Sequence, residues 1–144
     1  MIPIFRAMAC MALLCSPAHA AFGWAFGGVS TQVARVGAGV QILPIPFVGS
    51  VGIEGSVEQP WNQNPTQTQW SAAAHLRDVH IPLTEVDVFA GVGGQRGASG
   101  INPFAEAGLR TPLSSVVGAL GLRFSSRLYA DHDIHFGLDV ELRL

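Results

Sequence analysis

The last eleven residues, Ile134-His135-Phe136-Gly137-Leu138-Asp139-Val140-Glu141-Leu142-Arg143-Leu144, alternate without a break. Ile134, Phe136, Leu138, Val140, Leu142 and Leu144 form one face. His135, Gly137, Asp139, Glu141 and Arg143 form the other. Successive side chains of a β-strand point to opposite sides, so a period of two marks a strand. A helical stripe would recur every three or four residues, and nothing here does.

Upstream segments repeat the pattern. Val51, Ile53 and Val57 oppose Ser50, Glu54, Ser56 and Glu58; Ala34, Val36, Ala38, Val40 and Ile42 oppose Arg35, Gly37, Gly39 and Gln41. Trp70, Ala72, Ala74 and Leu76 stand against Ser71, His75 and Arg77. Val86, Val88, Ala90 and Val92 stand against Asp87, Gly91 and Gly93. Ala105, Ala107 and Leu109 oppose Glu106, Gly108 and Arg110, and Gly118, Leu120, Leu122 and Phe124 oppose Ala119, Gly121 and Arg123. With a glycine-rich first segment, Phe22–Gly28, the pattern predicts eight strands, mostly about 8–11 residues long, as tilted membrane strands require. Turn residues punctuate them. From the third connection on, the odd ones read as longer and polar: Gln59–Thr68, Gln95–Asn102 and Ser125–Asp133. That places Trp61, Arg96, Arg127 and Tyr129 in loops.

Composition narrows the class. Of 144 residues, 49% are hydrophobic and only 12% charged, about half the usual ~25%. There is no lysine, and the net charge is −2, which argues against nucleic acid as a partner. The length fits one domain.

Residues 1–20 read as a secretory signal peptide cleaved after Ala20. Arg6 is their only charge, Ala7–Cys15 is a short apolar run, and Ala18-His19-Ala20 is a small-x-small site. The run is too short for a spanning helix, which needs ~20 residues. Leu14 before Cys15 is a poor lipoprotein context. Both cysteines, Cys10 and Cys15, fall in this segment, so the mature chain 21–144 has no thiol chemistry.

A strand with one apolar and one polar face buries the apolar face in a soluble protein and turns it to lipid in an outer-membrane barrel. Three features favour lipid. The polar faces carry five Arg (Arg35, Arg77, Arg110, Arg123, Arg143) and six acids (Glu54, Glu58, Asp87, Glu106, Asp139, Glu141), a nearly balanced set that can pair inside a closed sheet. The apolar faces are rich in Ala, Val and Leu rather than the large aromatics of a sandwich core. Aromatics fall near strand ends (Phe22, Trp24, Phe47, Trp61, Trp70, Phe104, Phe124, Tyr129), as interface girdles do. No sheet edge survives in lipid, so the strands must close. The expected fold is therefore all-β: an eight-stranded antiparallel up-and-down transmembrane β-barrel. Its lumen is filled by the charge network, which fixes register, and has no open pore.

On these residues the mature chain resembles the small eight-stranded outer-membrane barrels of the OmpA/OmpX kind. The resemblance is one of architecture. Its most specific part is His135–Leu142, similar to the assembly signal on last barrel strands, although that family usually ends in an aromatic residue and this chain ends in Leu144. The resemblance implies outer-membrane lipid and the barrel-assembly machinery as partners. It also implies the outer membrane of a diderm bacterium as location, and a role in envelope structure or surface contact through the loops.

Catalytic and metal chemistry find little support. Asp131-His132-Asp133-x-His135 has metal-binding residue types, but in a strand 132 and 135 point to opposite faces. Ser71, Ser114, Ser125 and Ser126 stand in no nucleophile motif, and Gly91-Val92-Gly93-Gly94 lacks the lysine and helix of a phosphate loop. We expect no enzyme, no cofactor and no metal. Two alternatives invert or extend this reading. One is a soluble exported barrel with Val51, Ile53, Val140 and Leu142 around a small apolar ligand. The other is a lipid A-modifying membrane enzyme.

Overall fold

The computed structural model describes residues 22–61, 67–113 and 119–144. The expected signal peptide, its two cysteines and Ser114 lie outside these. Eight strands follow in order: β1 (Gly23–Ser30), β2 (Val33–Ile45), β3 (Gly49–Pro60), β4 (Gln69–His80), β5 (Asp87–Gly97), β6 (Gly100–Pro112), β7 (Leu120–Tyr129) and β8 (Ile134–Arg143). Each pairs antiparallel with the next, and β1 pairs with β8 from Trp24↔Arg143 to Ser30↔Gly137. The sheet is a closed eight-stranded up-and-down barrel with no free edge.

Its sides are partitioned in the reverse of a soluble core. Val36 (61% exposed), Val92 (65%) and Phe136 (61%) project outward, while Glu58, Arg123 and Glu141 are 0% exposed inside. Ile53, Val140 and Leu142 are likewise on the outer wall, so the arrangement with these residues around an apolar cavity does not form.

Strand ends differ from expectation in an instructive way. β7 runs through Tyr129, leaving a turn of 130–133; β5 and β6 are joined across 98–99. The expected long loops Gln95–Asn102 and Ser125–Asp133 are therefore mostly strand. Most of their polarity belongs to an inward face: Gln95, Ser125, Arg127 and Tyr129 are buried while Arg96, Phe124 and Leu128 are exposed. The longer odd connections reduce to one, 61–68.

The girdle is also smaller than expected. Trp24, Phe104 and Tyr129 turn inward and join Phe26 and Phe89 as the buried hydrophobic set with Val33. The reason is glycine. Trp24 faces Gly39, Phe26 faces Gly37, Phe89 faces Gly108, and Phe104 faces Gly93 across adjacent strands. A Cβ on Gly39 would lie 2.2 Å from the Trp24 ring, and one on Gly37 2.4 Å from Phe26. Each ring lies flat over a missing side chain, which is how large groups fit a narrow bore.

Two β-bulges interrupt the ladders, at Gln41/Leu43 and Leu76/Val79. The second matters to the site. Strict alternation would send Asp78 outward after Arg77. The bulge, with Asp78 at φ 58, turns its carboxylate back toward the bore.

Candidate functional site

The bore holds ion pairs in three tiers. At its centre Arg123 grips Glu54 with two hydrogen bonds, Nη1 to Oε2 at 2.7 Å and Nη2 to Oε1 at 3.1 Å, and also donates to Glu106 at 3.3 Å. Arg35 makes a matching fork to Asp139, Nε to Oδ1 at 2.9 Å and Nη2 to Oδ2 at 2.5 Å, and donates to Ser125 Oγ. Such two-pronged charge-assisted bonds fix orientation as well as charge. His75 lies between, Nε2 3.3 Å from Glu106 and Nδ1 3.8 Å from Glu54.

Toward the end carrying the β1–β2 turn, Arg127 donates to Glu58 at 2.6 Å. Ser71, Ser56 and Gln95 also donate to Glu58. Toward the chain termini, Arg77 donates to both oxygens of Glu141 at 2.7 and 2.6 Å, and Arg110 Nε is 3.1 Å from the same carboxylate. Arg143 donates to Asp78 at 2.6 Å and to Asp87 at 2.9 Å.

The aromatic rings complete the arrangement from the guanidinium faces. Arg77 stacks 3.9 Å from the Trp24 ring, Arg127 4.2 Å from Phe104, and Arg123 between Phe89 and Phe26 at 4.4 and 4.7 Å. A desolvated cation over a ring gains about 2 kcal/mol, and the guanidinium edges remain free for carboxylates. Trp24 serves twice, its Nε1 donating to Glu54 at 2.8 Å.

Several of the pairs cross the bore. Arg123 and Arg127 of β7 reach Glu54 and Glu58 of β3, and Arg77 of β4 reaches Glu141 of β8. In a ring of eight these are opposite walls. With Arg35 of β2 3.6 Å from Glu106 of β6, the network braces the barrel along three diameters, which no neighbour-to-neighbour pairing would do.

All eleven expected charges, from Arg35 to Arg143, lie on the inner face, Asp87 and Arg143 near its terminal rim. Arg127, His75 and Asp78 are missing from that set. Arg127, expected in a loop, is 3% exposed inside; its spacing from Arg123 and Ser125 by steps of two is the signal that finds it. His75 shows the same parity. Asp78 enters only through the bulge, which alternation does not reveal. Of the serines, Ser71 and Ser125 bond to carboxylate and guanidinium in the lumen and Ser126 sits on the outer wall. His132 occupies the β7–β8 turn while His135 stacks on Tyr129 at 4.7 Å.

Glu54, His75 and Glu106 bring donor atoms within 4.8 Å of one another. Arg123 already bonds both carboxylates, and Arg77 lies 3.4 Å from Glu54. A cation there would have to displace guanidinium from both.

No protein-family model matches the chain, and no curated protein matches it significantly. Among solved structures it is similar to the solution NMR structure of the de novo designed TMB2.3, with a TM-score of 0.62 over 86% of this chain and 94% of that one. The chain has the fold of a designed eight-stranded transmembrane β-barrel. At 15% identity the likeness is of fold alone.

Proposed function

We infer that this protein is an outer-membrane barrel of a diderm bacterium, exported under residues 1–20 and seated with its apolar wall in lipid. The observation that carries this is the inverted partition. The outer wall exposes Val, Ile, Leu and Phe all round, and the buried set is dominated by charge. A monomeric soluble protein rarely exposes contiguous apolar surface above a few hundred Å². In lipid the same wall is the favourable one.

The bore is occupied by side chains of opposite charge, and we assign it a bracing role rather than transport. A plugged, braced barrel suits a structural or surface-interaction part in the envelope. Among the described residues no serine hydroxyl is hydrogen-bonded to a histidine, and we propose no enzymatic activity. Partners follow from the location: outer-membrane lipid, the barrel-assembly machinery, and an extracellular ligand or protein at the polar end.

Heat-modifiability after membrane fractionation tests this. A membrane-retained band that shifts on boiling is the expected result. A protein released by osmotic shock, with no shift, overturns the reading.

A further inference from the structure

Two turns at the end holding the chain termini are built alike. Val48 N–H donates to Ile45 C=O at 3.1 Å, and Thr84 N–H donates to Ile81 C=O at 3.2 Å. Each closes a four-residue turn, Ile45-Pro46-Phe47-Val48 and Ile81-Pro82-Leu83-Thr84. Proline stands second in both, where its fixed φ suits the turn. The third residue adopts left-handed φ, 66° at Phe47 and 66° at Leu83. That position ordinarily takes Gly or Asn, because a bulky side chain there strains the backbone.

This strain places each side chain where it touches nothing of its own fold. Phe47 is 105% and Leu83 104% exposed. At the same end β6 finishes at Pro112, followed by Leu113, the proline–leucine pair of the β4–β5 turn, and Leu113 is half-exposed. At the opposite end, the left-handed positions among the described residues belong to His132 and Gly100, residues that tolerate it, among Ser, Gln and Asp.

We propose that the Phe47 and Leu83 turns insert into the membrane at the boundary between headgroups and acyl chains, anchoring the terminal end of the barrel in lipid. This rests on the membrane reading above. Two arguments select lipid over a protein partner. The tips are separate convex fingers on different turns, which a soft medium receives without a matching pocket. They also continue the apolar wall, through Leu43 and Val48 on one side and Ile81 on the other. The polar groups of the β4–β5 turn, Thr84 and Glu85, fit the headgroup level.

The test is nitroxide depth measurement in bilayers. Phe47→Cys, Leu83→Cys, Ser99→Cys and Val92→Cys are made singly in a full-length chain carrying Cys10→Ala and Cys15→Ala. Each variant is first shown to retain heat-modifiability, then labelled and exposed to oxygen and to a water-soluble nickel chelate. Labels at 47 and 83 are expected to be relaxed by oxygen and shielded from nickel far more than the polar-turn label at 99, approaching the mid-wall label at 92. Nickel access at 47 and 83 with shielding at 92 overturns this proposal alone. Nickel access at 92 overturns the membrane reading itself. Shielding at 47 and 83 that vanishes with one barrel per nanodisc assigns the tips to a second copy, and also overturns it. Where labelling at 47 prevents folding, Phe47→Trp with brominated lipid replaces it, read as the bromine quenching added over the chain that keeps Phe47, since Trp61 and Trp70 are themselves exposed; no added quenching is the contrary result.

Discussion

The inner and outer faces of the barrel come from the same strands, residue by residue, yet they are specified in different ways. On the outer wall Val92, Leu138 and Val140 need only be apolar; their surroundings are fluid, and no single neighbour is required. Inside, Arg123 has Glu54 and Glu106 at its edges and Phe26 and Phe89 on its faces. Each inner residue is defined by several others from opposite walls. The difference shows where this fold stores its tolerance to substitution and where it stores its uniqueness.

The largest contrast comes from Arg123→Leu, which leaves Glu54 and Glu106 buried without their main partner. A loss of about 3–5 kcal/mol is expected on breaking a buried pair, measured by urea unfolding in detergent micelles. Arg127→Leu takes the guanidinium from Glu58, which keeps its bonds from Ser56, Ser71 and Gln95, and belongs at the lower end of the same range. An Arg127→Leu variant as stable as an outer-wall variant would break the comparison. Next come the glycines. Gly39→Val drives a side chain into the Trp24 ring and is expected to cost about 1–3 kcal/mol or more by overpacking. Gly55, whose added Cβ would meet only Ser71 O at 3.8 Å, should accept Ala within about 0.5 kcal/mol. Equal midpoints for the two would show that the rings do not depend on their glycine seats. On the wall itself Leu138→Val removes one methylene from lipid and leaves no cavity, so about 0.8 kcal/mol bounds its effect. Smallest of all is the response to salt. Raising ionic strength to about 1 M, where the Debye length is ~3 Å, should move the midpoint by less than about 0.5 kcal/mol. A steep salt dependence would mean that water reaches the bracing pairs.

Much of this was legible beforehand. The strand count, the inward face and eleven lumen charges follow from alternation, because a closed sheet repeats one rule along every strand. What escaped has specific causes. A bulge resets the parity at Asp78, and no residue pattern around Leu76–Val79 announces it. Trp24, Phe104 and Tyr129 look like girdle residues by type and position; their inward turn depends for Trp24 and Phe104 on Gly39 and Gly93 of a neighbouring strand, visible only once register is known. Arg127 lies in a polar stretch that resembles a loop, and polarity stops marking loops where the polar side is the interior. The diametral bracing required closure itself, since Arg77 and Glu141 are distant in sequence and meet only when the sheet becomes a ring.

That last dependence bears on how the molecule is made and lost. The seam between β1 and β8 joins the two ends of the described chain, so it is the contact of greatest sequence separation and must wait for the rest. Until it closes, neither Glu141 nor Asp139 has the walls that hold its arginine. Opening the seam would expose both at once, together with Arg77 and Arg35, before any compensating chain entropy is released. Opening at the seam is therefore a costly, concerted step, and the barrier it sets adds to how long the closed barrel persists.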